Sequence, residues 1–447
     1  IAENFLINLV NLKKFENLMS QKEIQSYLER LFPLNRSLTG NGNRASFNIV
    51  KEIIPLKIKE IPTNTKVYDW KIPKEWNIKD AYILDKNGKK LISFKDNNLH
   101  VMGYSQPINK ILKWESLKKK LIYLKENKNA IPYRTSYYDK DWSFCVSKLQ
   151  YEKIQKSQGP FKVLIDSQLT NGSLTYADYI VKGKSKKEIL ISTYICHPSM
   201  ANDCLSGFLL TAFLAKEISK KKPKWTYRFV FIPETIGAIA YCKLNEKKIK
   251  NIDSGLVITT VGGKGKFGYK QSWNSGHQIN KDIESIFKTE KIKYKTYPFS
   301  IRGSDERQYS SQAFKINTAT ITKDKYFEYK QYHNSFDNLS FTNGDNINQS
   351  LKLYLKLISK IEKWEIFENK MKTCEYMLSK RDLYSKVGGA YKNSKKNLTH
   401  SDMIQWILYL SNGKRTIEEI SIKLKESQKK VKEISLFLTK EKLLNEL

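Results

Sequence analysis

From residue 161 to 370 the chain alternates between short apolar runs rich in β-branched and aromatic residues and longer stretches with apolar positions at helical spacing. Strands are expected at 161–167, 174–181, 188–194, 227–233, 255–261 and 317–321. Helices are expected between them at 204–218, 236–244 and 277–291, with a long closing helix over 346–370. Strand and helix in alternation predict an α/β fold: a mixed, mostly parallel sheet flanked by helices.

Two stretches depart from that rhythm. Residues 66–106 show short strands, a Lys-Asn-Gly turn and two Trp, the pattern of a small inserted β-rich domain. After residue 370, three short helices with apolar stripes are expected at 399–410, 416–424 and 427–438, which suggests a winged-helix domain over 371–447. The main α/β domain then comprises 19–65 and 107–370. It opens with an amphipathic helix after Ser20, a Ser N-cap with Glu23 three residues on, and Met19 is an alternative start.

Composition narrows the function classes. The 447 residues, 40% hydrophobic and 12% aromatic, exclude a largely disordered chain. Lys+Arg is 79 against Asp+Glu 45, a formal charge of +34, yet the basic residues are mostly Lys and spread along the chain. Phosphate recognition recruits clustered Arg, so this charge predicts salt-sensitive, nonspecific attraction to polyanions and not specific nucleic-acid binding. Five scattered cysteines form no CxxC pair, which fits a reducing compartment. No basic leader with a cleavage site precedes residue 20, and no run approaches the roughly 20 apolar residues that span a bilayer. A cytoplasmic protein without membrane insertion is expected, and a homo-oligomer is left open.

Only five histidines are present, so each can be weighed. His197 follows the strand at 188–194 and precedes Asp203, which lies just before a helix. In a parallel sheet, side chains at the carboxyl ends of strands converge on the ligand crevice. Imidazole and carboxylate there suit a zinc ion. Glu234 ends the next apolar run, where a carboxylate can take a proton from water beside a cation. Taken singly it reads better as a first-turn acid favoured by the helix dipole. His333 lies among aromatics with Asp337 four residues on, and alone it reads as a packed loop residue. Three such strand-end positions on one sheet strengthen one another. His100, His277 and His400, the last beside Ser401 as N-cap, read as structural, and Cys196 and Cys204 as buried packing.

The segments CHPSMANDCLSG, FIPETIGAIAY and YHNSFDNL, with His197, Asp203, Glu234 and His333 in that order, resemble the co-catalytic zinc aminopeptidases of the M28 type. From about Met19 onward, LNRSLTGNGNR, IPYRTSYY, TTVGGKG and IRGSDERQYSS resemble bacterial proteins with an aminopeptidase-like domain, often tied to polysaccharide biosynthesis. The resemblance implies that His197, Asp203 and His333 bind metal and that Glu234 is the general base. Thr235 and Thr259 stand where the M28 pattern has further carboxylate ligands, so one zinc is expected rather than two. It also places Arg302, Asp305, Glu306 and Arg307 at the substrate pocket, where clustered Arg and acidic groups can clamp a carboxylate or an amine; Arg134 is a further candidate. The implied activity is hydrolysis of a small peptide or an N-acylated small molecule. The alternative is a noncatalytic ligand-binding or regulatory protein on a degenerate hydrolase scaffold, its winged helix contacting nucleic acid or a protein partner.

Overall fold

A computed structural model of the protein describes residues 21–157, 159–384 and 398–447. Ser20 and Met19 lie outside the described residues, while the helix expected to follow them runs over 21–31. The chain forms two compact units, one reaching to Trp273 and including Phe287–Leu355, the other Asn274–Ile286 with Lys356–Leu447.

The first unit is built on an eight-stranded sheet. Its strands are β1 Lys57–Pro62, β2 Ser173–Val181, β3 Glu188–Tyr194, β4 Thr226–Ile232, β5 Ser254–Val257, β6 Phe267–Lys270, β7 Tyr294–Tyr297 and β8 Asn317–Lys323. Across the sheet they run β1-β2-β4-β3-β5-β8-β6-β7. The four central strands β4, β3, β5 and β8 are parallel, while β2 and β6 join them antiparallel. Every residue of β4 and all but the first of β3 are buried. Strands covered on both faces read as unbroken apolar runs, which is why these two were legible. The following helices Gly207–Ser219 and Ile236–Leu244 are buried over most of their length, so packing rather than helix propensity holds them. Parallel register puts Tyr194 beside Ile232 and Ser192 beside Val257, so the segments leaving β3, β4 and β5 emerge at one rim.

Two expectations change. The strand expected at 161–167 exists as Phe161–Thr170 but belongs to a second, antiparallel sheet ordered Lys90–Ser93, Glu75–Leu84, Phe161–Thr170, Ile108–Leu112. Its residues alternate between buried and accessible, the mark of a sheet with one wet face. The β-rich part therefore draws on strands beyond the 66–106 stretch. The closing helix is Gly344–Ile361 rather than 346–370, because Ile366–Asn369 pairs as a strand with Asn412–Thr416 and Leu444–Glu446. That pairing outweighs the helical periodicity of the segment.

In the second unit the three expected helices are His400–Leu410, Ile417–Leu424 and Gln428–Lys440. Met403, Ile407, Ile420, Val431 and Leu438 form their shared core. The caps are Thr399, Thr416 and Ser427, so Thr399, paired with Asp402 in a capping box, holds the place expected for Ser401. Among the described residues no helix is long and apolar enough to cross a membrane.

Candidate metal centre

The segments leaving β3 and β4, together with the loop after β8, bring the predicted residues together. One ligand atom each from His197, Asp203 and His333 lies within 4.8 Å of the other two. His333 Nε2 is 3.1 Å from Asp203 Oδ2. Donor atoms each about 2.0–2.1 Å from a tetrahedral zinc sit about 3.3 Å apart, so this pair is spaced as two ligands of one ion would be. His197 and Asp203 are almost inaccessible to water. Burial drives the His197 pKa down to about 4 against the pull of Asp203, so the imidazole is neutral and its lone pair free to bind. Burial alone would raise Asp203, but His197, His333 and Tyr194 outweigh it and bring it to about 2, an ionised carboxylate. The donor set fits a divalent ion of the zinc kind.

Each residue is held by its surroundings. Tyr133 packs edge-on against His333 at 5.1 Å and at a tilt against His197 at 5.0 Å between ring centres. Tyr332 stacks on His333 at 3.8 Å. Arg36, wholly buried, donates from Nε to the His197 carbonyl at 3.0 Å. Asp203 sits in a turn with φ −105 and ψ 85, off the helical path of its neighbours. Asp337 braces that turn: its Oδ1 accepts the Asn202 N–H and its Oδ2 the Asp203 N–H, and the Tyr329 hydroxyl donates to the same Oδ2. Asp337 thereby ties the His333 loop to the Asp203 turn.

Glu234 Oε2 is 4.0 Å from His197 Nε2. Burial first, then the charges of Asp305 and Asp203, raise its pKa well above the ordinary carboxylate value, which favours proton uptake. The next residue, Thr235, has φ 63 and ψ −77, a costly conformation for a β-branched side chain. Asp305 Oδ1 accepts its N–H at 2.7 Å. The other threonine, Thr259, donates to the Tyr194 hydroxyl at 2.7 Å, and Tyr194 donates to Asp203 Oδ1 at 2.6 Å. A phenol thus engages the carboxylate oxygen that faces away from His333.

The remaining predicted residues are distributed differently. Asp305 supports Thr235, and Glu306 is fully buried in an ion pair with Lys270 at 2.6 Å. Arg302 and Arg134 are exposed, and Arg134 donates to the Tyr133 carbonyl. Arg307, the fourth charged residue of the segment with Arg302, Asp305 and Glu306, donates from Nη2 to Thr235 Oγ1 at 3.1 Å. Cys196 also comes closer than alternation along an extended segment suggests. Its Sγ is 3.6 Å from His197 Nδ1 and accepts the Glu234 N–H, and Cys196, His197 and Glu234 form a second group of closely spaced donor atoms. Burial pushes the Cys196 thiol well above its ordinary pKa, so it stays neutral.

The parallel centre, the rim position and the His-Asp-His set define an α/β protein with the fold of the M28 aminopeptidases. Residues 25–364 match the family model described as Domain of unknown function (DUF4910), and the chain belongs to that family. A Clostridium acetobutylicum protein, provisionally named a polysaccharide biosynthesis protein with an aminopeptidase-like domain, is 42% identical over 401 residues, covering 90% of this chain and 91% of its own. A crystal structure from Clostridium acetobutylicum, of a protein provisionally called a peptidase, has a TM-score of 0.78 at 38% identity and covers 98% of this chain and 100% of that one. The zinc aminopeptidase BSAP of Bacillus subtilis shares the fold at a TM-score of 0.55 and 13% identity, over 77% of this chain and 95% of that one.

Proposed function

We propose that the protein is a zinc-dependent amide hydrolase holding one ion through His197, Asp203 and His333, with Glu234 as general base. The observation that carries the reading is the mutual approach of those three donor atoms within 4.8 Å, with Glu234 4.0 Å from His197. Bound zinc supplies Lewis acidity toward a carbonyl and lowers the pKa of water. Glu234 takes the proton of the attacking water and delivers it to the leaving nitrogen, a task suited to a carboxylate whose proton affinity burial has raised. Tyr133 and Tyr332 fix the imidazole planes and shield the centre on their side. A single ion is favoured because Thr235 and Thr259 offer no carboxylate and Tyr194 engages the second oxygen of Asp203.

The substrate is a small peptide or an N-acylated small molecule. The name of the Clostridium relative favours a place in surface polysaccharide biosynthesis. The five cysteines of the present chain are free, which supports a cytoplasmic setting. The three capped helices and three-stranded sheet of the second unit support a winged-helix reading for 371–447. The same two threonines favour a second reading, a scaffold that binds a ligand without turning it over. Metal analysis joined to Glu234→Gln separates the two. Hydrolysis requires about one zinc per chain in both proteins and turnover in the wild type alone; full activity in the variant removes Glu234 as base, and a chain that takes up no zinc leaves the binding reading.

A further inference from the structure

A pocket of about 290 Å³ opens beside Glu234, lined by Leu38, Trp70, Tyr137, Tyr138, Glu234 and Arg307 among others. Trp70, Tyr137 and Tyr138 also line a neighbouring cleft of about 690 Å³. These rings are 40%, 45% and 49% exposed, and Trp70 meets Tyr138 edge-on at 5.9 Å between centres. Large aromatic faces left open around a cavity favour a flat or ring-shaped ligand. Arg307 is the cation of the pocket. It donates from Nη2 to Thr235 Oγ1 and from Nη1 to the Ile301 carbonyl, and pairs with no carboxylate among the described residues. Its Nε is buried without an acceptor, so the protein leaves the hydrogen-bonding capacity of this guanidinium unfilled.

Resting on the reading of Glu234 as base, we propose that this pocket selects anionic, ring-bearing amides: Arg307 pairs with a carboxylate of the substrate while the adjoining ring lies against Trp70, Tyr137 and Tyr138. Guanidinium and carboxylate match as a fork, which makes such a pair both strong and directional. The carboxylate can come from the end of a peptide or from an acidic N-acyl amino sugar. Calorimetric titration of the chelator-treated, metal-free protein reads the pocket without turnover, so its outcome stands apart from that of the zinc and Glu234→Gln experiment. The probes are alanyl-phenylalanine against its C-terminal amide, and N-acetylmuramic acid against N-acetylglucosamine. In the wild type the acid of one pair is expected to bind about tenfold or more tighter than its neutral partner, and that pair identifies the source. Arg307→Gln removes the difference, and Arg307→Lys, which keeps the charge, retains part of it. Equal binding of acid and neutral partner, a difference that survives in Arg307→Gln, or no binding by any probe overturns the proposal.

Discussion

Asp337 is wholly buried, and its carboxylate accepts the backbone N–H groups of Asn202 and Asp203. Burial raises its pKa to about 7 despite those bonds, a measure of how little water reaches it. Outer partners of this kind fix the direction of metal ligands, and their loss typically costs about 10–100-fold in metal affinity. Asp337→Ala is therefore expected to weaken zinc binding by about that factor, read in a competition titration with a chromogenic chelator, while Asp337→Asn keeps one of the two acceptors and loses less. Unchanged affinity in both would remove the positioning role. His197 and Glu234 stand out in the sequence because each follows an apolar run, Asp203 because it precedes a helix and His333 because Asp337 and aromatics surround it. Within the charged segment of Arg302, Asp305, Glu306 and Arg307 the sequence does not say which group faces the site; only the fold sends Glu306 to Lys270 and Arg307 to Thr235.

At the level of elements, close approach and pairing decide what periodicity leaves open. Gly207 begins the helix that follows Asp203, and a Cβ there would lie 2.4 Å from the Ile258 carbonyl oxygen, a backbone atom that cannot yield. Gly207→Ala should destabilise by about 1–3 kcal/mol through this clash, measured as a lowered denaturant midpoint. The helix Asn41–Val50 is bound to the second sheet through Arg44, which pairs with Glu75 at 2.6 Å. The Arg44 bond brings the Glu75 pKa from 4.5 to about 2. A depressed folded-state pKa means the contribution is complete above about 4.5 and fades as pH falls toward about 2. The wild type should lose stability across that window in urea titrations. Arg44→Ala should be less stable by about 1–3 kcal/mol near neutrality and show a flatter acid limb; parallel curves would dissociate the pair from acid sensitivity. The alternation in Phe161–Thr170 was visible beforehand, but its partner Glu75–Leu84 lies far away in sequence, and pairing across that distance carries no local signal.

For the whole molecule the charge of +34 makes the strongest statement. Lysines dispersed over the surface attract phosphate by counterion release, without reading bases. Two duplexes of unrelated sequence should bind alike at low salt and dissociate together near about 0.2 M salt; a preference of about tenfold or more for one of them would instead assign a specific nucleic-acid surface.

The sequence by itself determined the α/β class, the presence of its buried central strands and the residue types offered for a metal and a base. Those properties follow from local periodicity and from which side chains can ligate or titrate. The tertiary structure alone decided that Phe161–Thr170 leaves the main sheet, that Glu306 is spent on Lys270, and that Tyr194 engages the free oxygen of Asp203. It also placed Arg307 and three aromatic rings around the pocket beside Glu234. Most of these are encounters between residues distant in the chain, and all are settled by competition among partners that appears only once the chain has packed.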